Sequence, residues 1–161
     1  MAVVQTPRDA MFVAGPMKND GPSRMPWVER ARAGLIGGLA GGGFNAVVMR
    51  LAGAWERIAD RFEAPSPAAA FIVHMAFGGL TGVLYGSVFR NRSRSVRMEI
   101  ARAVCFSVTL YLLIASTVMT LRFGAPQLGA DGFGQLTRVL AGHVLFGVIL
   151  GAVCRQWSRS P

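Results

Sequence analysis

Charge is scarce in this sequence, and what is missing narrows the choice of function. Only 16% of the 161 residues are charged, against about a quarter in an average soluble domain. There are eight acidic side chains, two cysteines and two histidines. Cys105 and Cys154 form neither a CxxC pair nor a Cys/His cluster, so a zinc site has no support. Both fall in the halves of apolar runs assigned below to the cytoplasmic side. Thiols stay reduced there, so they read as small buried apolar residues and not as a disulfide. No apolar run contains a carboxylate, and no Ser/His/Asp order or metal-ligand group stands out, so an enzyme is not expected and neither is a metal site. A cleavable leader is not evident either. Residues 1–26 carry Pro7, Gly15, Pro16, Gly21, Pro22 and Pro26 among scattered charges, where a leader has an uninterrupted apolar stretch close to its start.

Against these absences stand four long apolar runs, at 33–51, 68–89, 103–121 and 136–154. Each is close to the ~20 residues that carry a helix across about 30 Å of hydrocarbon. Arg50 lies at the end of the first and Arg138 near the start of the fourth, where a long side chain reaches the interface. A soluble bundle would interrupt each run with polar residues every third or fourth position. The third run offers only hydroxyls, which can bond the helix's own carbonyls. The expectation is an all-α membrane protein with four transmembrane helices in one domain, 33–155. A mostly flexible tail, 1–32, precedes it and a short one, 156–161, follows it.

The net charge of +9 invites a nucleic-acid reading, but that needs a basic face on a folded soluble domain. Here the basic residues flank apolar runs. On one side lie Arg8, Lys18, Arg24, Arg30, Arg32, Arg90, Arg92, Arg94, Arg97, Arg102, Arg155 and Arg159, twelve in all; on the other are Arg50, Arg57, Arg61, Arg122 and Arg138, five in all. The positive-inside rule therefore puts both termini and the middle loop in the cytoplasm. Trp27 and Trp157 then fall at the inner interface and Trp55 at the outer one. Residues 54–63 read either as an interfacial helix or as a solvated helix extension, and 122–135 as an irregular, glycine-rich loop.

Glycine is patterned. Gly34, Gly38 and Gly42 recur every four residues in the first run, with Gly37, Gly41 and Asn45 one row over. Small residues at this spacing let helix backbones approach closely in lipid. The stretch also resembles a phosphate loop in outline, but it lacks the Gly-Lys-Ser/Thr ending and a preceding strand.

A second pattern is an internal repeat. His74, Phe77, Gly78 and Gly82 match His143, Phe146, Gly147 and Gly151 as HxxFGxxxG, offset by 69 residues. Both histidines fall near the start of their runs, at similar depth. The repeat predicts two related helical hairpins in parallel orientation, an arrangement also found in transporters. On a helix, His74, Gly78, Gly82 and Gly86 share one face, as do His143, Gly147 and Gly151.

Intramembrane histidines are functional candidates, and three readings stay open. In the leading one each neutral imidazole bonds a neighbouring helix and holds the packing. In the second they respond to protons or ions along a polar path, with Asn45, Thr81, Tyr85, Ser116 and Thr117 as polar neighbours. In the third His74 and His143 ligate a haem b between the second and fourth spans.

From the second run onward the layout resembles the YagU-like family of small bacterial inner-membrane proteins. The residues that carry this are His74 with Gly82 and Tyr85, the basic stretch after Phe89, Gly124 to Pro126, and Gly142 with His143. The resemblance implies a four-span protein of the bacterial inner membrane with a stress-related role. The first outer connection is shorter here than in that family, so any function housed in the longer insert would not carry over. The expected partners are the bilayer and a second copy or another membrane protein, with no nucleic acid.

Overall fold

The computed structural model describes residues 25–51, 55, 63, 66–89, 95–114, 117, 121 and 130–158. Its four helices are α1 (Trp27–Leu51), α2 (Pro67–Val88), α3 (Val96–Ile114) and α4 (Ala130–Trp157). The expected flexible tail up to residue 24, most of the 54–63 segment, the basic stretch 90–94 and the loop 122–129 lie outside the described residues.

Local chemistry sets the start of α2. Ser66 is its N-cap, its Oγ accepting from the Ala69 N–H at 3.2 Å. Pro67 follows at the first helical position, where its missing N–H removes no helix bond. The other helices begin before the apolar runs that announced them. α1 starts at Trp27 and not at Ala33, α3 at Val96 and not at Ala103, α4 at Ala130 and not at Leu136. Apolarity sets what can enter lipid, whereas the helix itself tolerates Glu29, Arg30, Arg97 and Glu99 in its first turns, where acids complement the dipole. Residues 27–32, expected to belong to a tail, are therefore helical.

α1 and α4 pack on each other at the centre. α2 lies antiparallel against α1 and α3 against α4, while α2 and α3 barely touch. The interior is built of small residues. Ala33, Gly34, Gly37, Gly38, Gly41, Gly42 and Ala46 are the buried positions of α1 apart from Arg30 and Asn45. Many large apolar side chains point outward, among them Leu35, Ile36, Phe44, Ile72, Phe77 and Leu80, while Tyr85, Phe146 and Leu150 are buried. Water would penalise such a surface, but lipid does not. Among the described residues α1, α2 and the Leu136–Trp157 part of α4 are long and apolar enough to cross a membrane. α3 carries Arg97, Glu99 and Arg102 in its first two turns, and most of the end of its apolar run, 115–121, lies outside the described residues.

Two expectations about burial need correcting. Cys154 is buried, but Cys105 is exposed on the outer surface of α3. Trp55 does not face an interface: it is buried and donates its indole N–H to the Ala46 carbonyl at 3.1 Å. An indole that can satisfy its single donor inside the fold has no need of the interface.

Candidate functional site

The glycine rows bring backbones together. A Cβ built at Gly34 or at Gly82 would collide with the other residue's carbonyl oxygen, and at Gly38 with the Gly78 carbonyl. Gly42 faces the Gly78 Cα, and Gly86 faces the Arg30 carbonyl. These contacts join α1 to α2. The second row of α1 serves α4: a Cβ added at Gly37 would lie 2.9 Å from the Leu150 side chain, and one at Gly41 3.0 Å from the Phe146 ring. On the far side of α4, Gly147 would meet Val104 of α3 and Gly151 would meet Ile100 and the Glu99 carbonyl. All eight packing glycines singled out from sequence, Gly34, Gly38, Gly42, Gly78, Gly82, Gly86, Gly147 and Gly151, thus lie against another helix.

The row on α3 that answers Gly34, Gly38 and Gly42 is Glu99, Ala103 and Ser107, the three buried residues of that helix. Each histidine bonds the last member of the row before it. His74 Nε2–H donates to the Gly42 carbonyl at 3.3 Å. His143 Nδ1 and the Ser107 hydroxyl share a hydrogen bond of the same length, 3.3 Å. Each ring also lies on an aromatic: Trp55 stands edge-on to His74 with centroids 5.5 Å apart, and Tyr111 stacks on His143 at 4.4 Å. Both imidazoles are partly buried.

The other polar candidates divide. Asn45 is buried on α1, with its Oδ1 2.6 Å from where a Cβ on Gly142 would lie. It belongs to the histidine end of α4. Tyr85 does not join the histidines. It is three turns along α2, fully buried, and donates its hydroxyl to Glu99 Oε1 at 2.8 Å. Thr81 is partly buried, Thr117 is exposed, and Ser116 lies outside the described residues.

Glu99 precedes the third apolar run, so hydrophobicity alone does not mark it as helical. It is nonetheless a fully buried helical carboxylate, with Arg102 Nη1 4.0 Å from its Oε2. Tyr85, Phe89 and Phe106 cluster beside it, with centroids 4.8–5.9 Å apart. At the same end Trp157 donates to Glu29 Oε2 at 3.3 Å, tying α4 to α1. The four-residue spacing of Glu99, Ala103 and Ser107 was the available signal for both Glu99 and Ser107.

A haem between His74 and His143 does not suit this arrangement. α1 fills the space between α2 and α4, with Gly38 and Gly42 on one side and Gly37 and Gly41 on the other. His74 directs Nε2 at the Gly42 carbonyl, so a macrocycle bound to both imidazoles would have to displace α1. Among the described residues no group of three or more His, Cys, Asp or Glu converges as a metal site. Comparison with family models, curated proteins and solved structures finds no match to this chain.

Proposed function

We propose that this is a four-span protein of a bacterial inner membrane, with both termini in the cytoplasm. In this reading it is built of two related hairpins, α1–α2 and α3–α4. Its role is non-enzymatic: it acts through helix packing and association with a membrane partner, and His74 and His143 are core contacts. The observation that carries the reading is the equivalence of the two histidines. Each bonds the small-residue row of the helix before it, in one register, at 3.3 Å. Such interhelical bonds stabilise by roughly 0.6–2 kcal/mol in membranes. The excess of basic residues at the terminal end supports the orientation. The resemblance to the YagU-like family adds a stress-related role to the proposal.

The glycine faces are consumed within the chain, so a second copy or another membrane protein would meet the outer surface of large apolar side chains. The test is the His74→Ala/His143→Ala double variant, reconstituted in liposomes and unfolded in detergent. The reading expects lower thermal stability and no difference in proton or ion flux. Unchanged stability would reject it.

Proton- or ion-responsive transport is the second reading. The buried Asn45 beside Gly142, with Ser107, Tyr111 and His143, gives three helices polar groups at one depth. Flux through the parent protein that the double variant loses would favour it. Lack of a Soret band in purified protein would remove the haem alternative.

A further inference from the structure

The two hairpins are joined unequally. Along their length they meet through α1 and α4, where Gly37 and Gly41 receive Leu150 and Phe146. Along this stretch the seam is side chain against bare backbone, and at the terminal end Trp157 of α4 donates to Glu29 of α1 at 3.3 Å. The outer helices α2 and α3 barely touch. Their contacts gather at the terminal end, where Tyr85 of α2 reaches Glu99 of α3 and Phe89 packs edge-on to Phe106 at 5.9 Å.

The chemistry of this contact differs from that of the rest of the core. Glycine and alanine fill most of the other interhelical row positions, yet Glu99 occupies on α3 the place that Gly34 holds on α1. A fully buried carboxylate is costly unless donors surround it. The Tyr85 hydroxyl supplies one at 2.8 Å and also lies 3.3 Å from the Glu99 backbone carbonyl. Arg102, on the same helix, stands at 4.0 Å. Tyr85 thus carries a hydrogen bond between the outer helices α2 and α3, and its carboxylate partner is a group that gains from water if the contact breaks. A seam along one side and a water-sensitive bond at one point together form a hinge and a clasp.

We propose that Tyr85 and Glu99 form a clasp that holds the two hairpins shut at the terminal end, and that its release opens the bundle there about the α1–α4 seam. The molecule carries its own reporter. Cys154 is fully buried in the same cluster as Tyr85, Ala103 and Leu150, whereas the other thiol, Cys105, is exposed.

The experiment uses the full chain in lipid nanodiscs, with Cys105→Ser to leave one thiol, and a membrane-impermeant maleimide. In this parent Cys154 labels slowly. Tyr85→Phe removes the donor and keeps the ring between Phe89 and Phe106, so helix content and elution volume stay as in the parent while Cys154 labelling rises about tenfold. Trp55→Phe, which removes a hydrogen bond at the other end, leaves labelling as in the parent. Three results would overturn the clasp. Cys154 as protected in Tyr85→Phe as in the parent would mean the contact closes nothing. Loss of helix content in Tyr85→Phe would make it a static part of the core. Labelling of Cys154 in Trp55→Phe as fast as in Tyr85→Phe would mean general loosening.

Discussion

Replacing Gly82 by alanine adds one methyl group, and the structure states what that methyl meets. A Cβ at Gly82 would lie 2.8 Å from the Gly38 Cα and closer still to the Gly34 carbonyl oxygen. Ordinary Cβ contacts run 3.4–4 Å, and both obstacles are backbone, which cannot swing aside. α1 and α2 must therefore part by at least ~0.6 Å, and a gap of that size forfeits a quarter to a half of the dispersion well for the atoms along it. Overpacking of this kind costs about 1–3 kcal/mol. Alanine's better helix propensity returns about 0.5–1 kcal/mol, so the net loss should be about 0–2.5 kcal/mol, and the loss relative to a glycine with open space about 1–3 kcal/mol. Gly43, on the partner helix α1, is the control: its Cβ would meet only the Met75 Cε at 3.8 Å, an ordinary contact with a flexible side-chain tip. Gly43→Ala should be neutral or slightly stabilising. Reversible unfolding of both variants in mixed detergent micelles, followed by circular dichroism, gives the comparison. Equal midpoints for Gly82→Ala and Gly43→Ala would refute backbone contact between α1 and α2.

Other positions make separate demands. Gly142→Ala should destabilise, because the new methyl would lie 2.6 Å from Asn45 Oδ1, and adding Asn45→Ala should restore much of the loss; an unfolding midpoint that the second substitution fails to raise would contradict the contact. A double-mutant cycle of His143→Ala and Ser107→Ala should show coupling of about 0.6–2 kcal/mol, and strictly additive losses would show that the 3.3 Å bond is not made. Trp55→Phe should cost about 1 kcal/mol through the lost indole donor and remove a blue-shifted component of the emission. If instead the remaining spectrum shifted to the blue, Trp55 would be the wetter tryptophan.

The helical class was legible because lipid demands uninterrupted apolar length, and 68–89 announces α2 almost to the residue. Helix starts were less legible. The cue was hydrophobicity, while α1 and α3 begin in charged turns that no apolar count detects. The glycine rows gave the packing faces because a four-residue period fixes which positions share a side. Spacing alone does not show which helix each face meets: nothing in it says that Gly37 and Gly41 take α4 while Gly38 and Gly42 take α2. The same limit misplaced Tyr85. A tyrosine near an intramembrane histidine in sequence was read as its neighbour, yet three helical turns separate them and the hydroxyl serves a carboxylate on another helix. Glu99 escaped notice because burial of a carboxylate depends on a donor from elsewhere in the chain.

The two histidine contacts differ in who can change them. The acceptor for His74 is a peptide carbonyl, which every amino acid at position 42 would supply. No substitution there deletes the acceptor itself, and the bond is lost only by moving the helices. The partner of His143 is the hydroxyl of Ser107, a single-codon property. Mutation can erase it, swap it for threonine or replace it with an amide while leaving the backbone in place. Of two contacts set in the same register, the first is conserved by covalent chemistry and the second is exposed to drift and adaptation, so specialisation between the hairpins would begin at position 107.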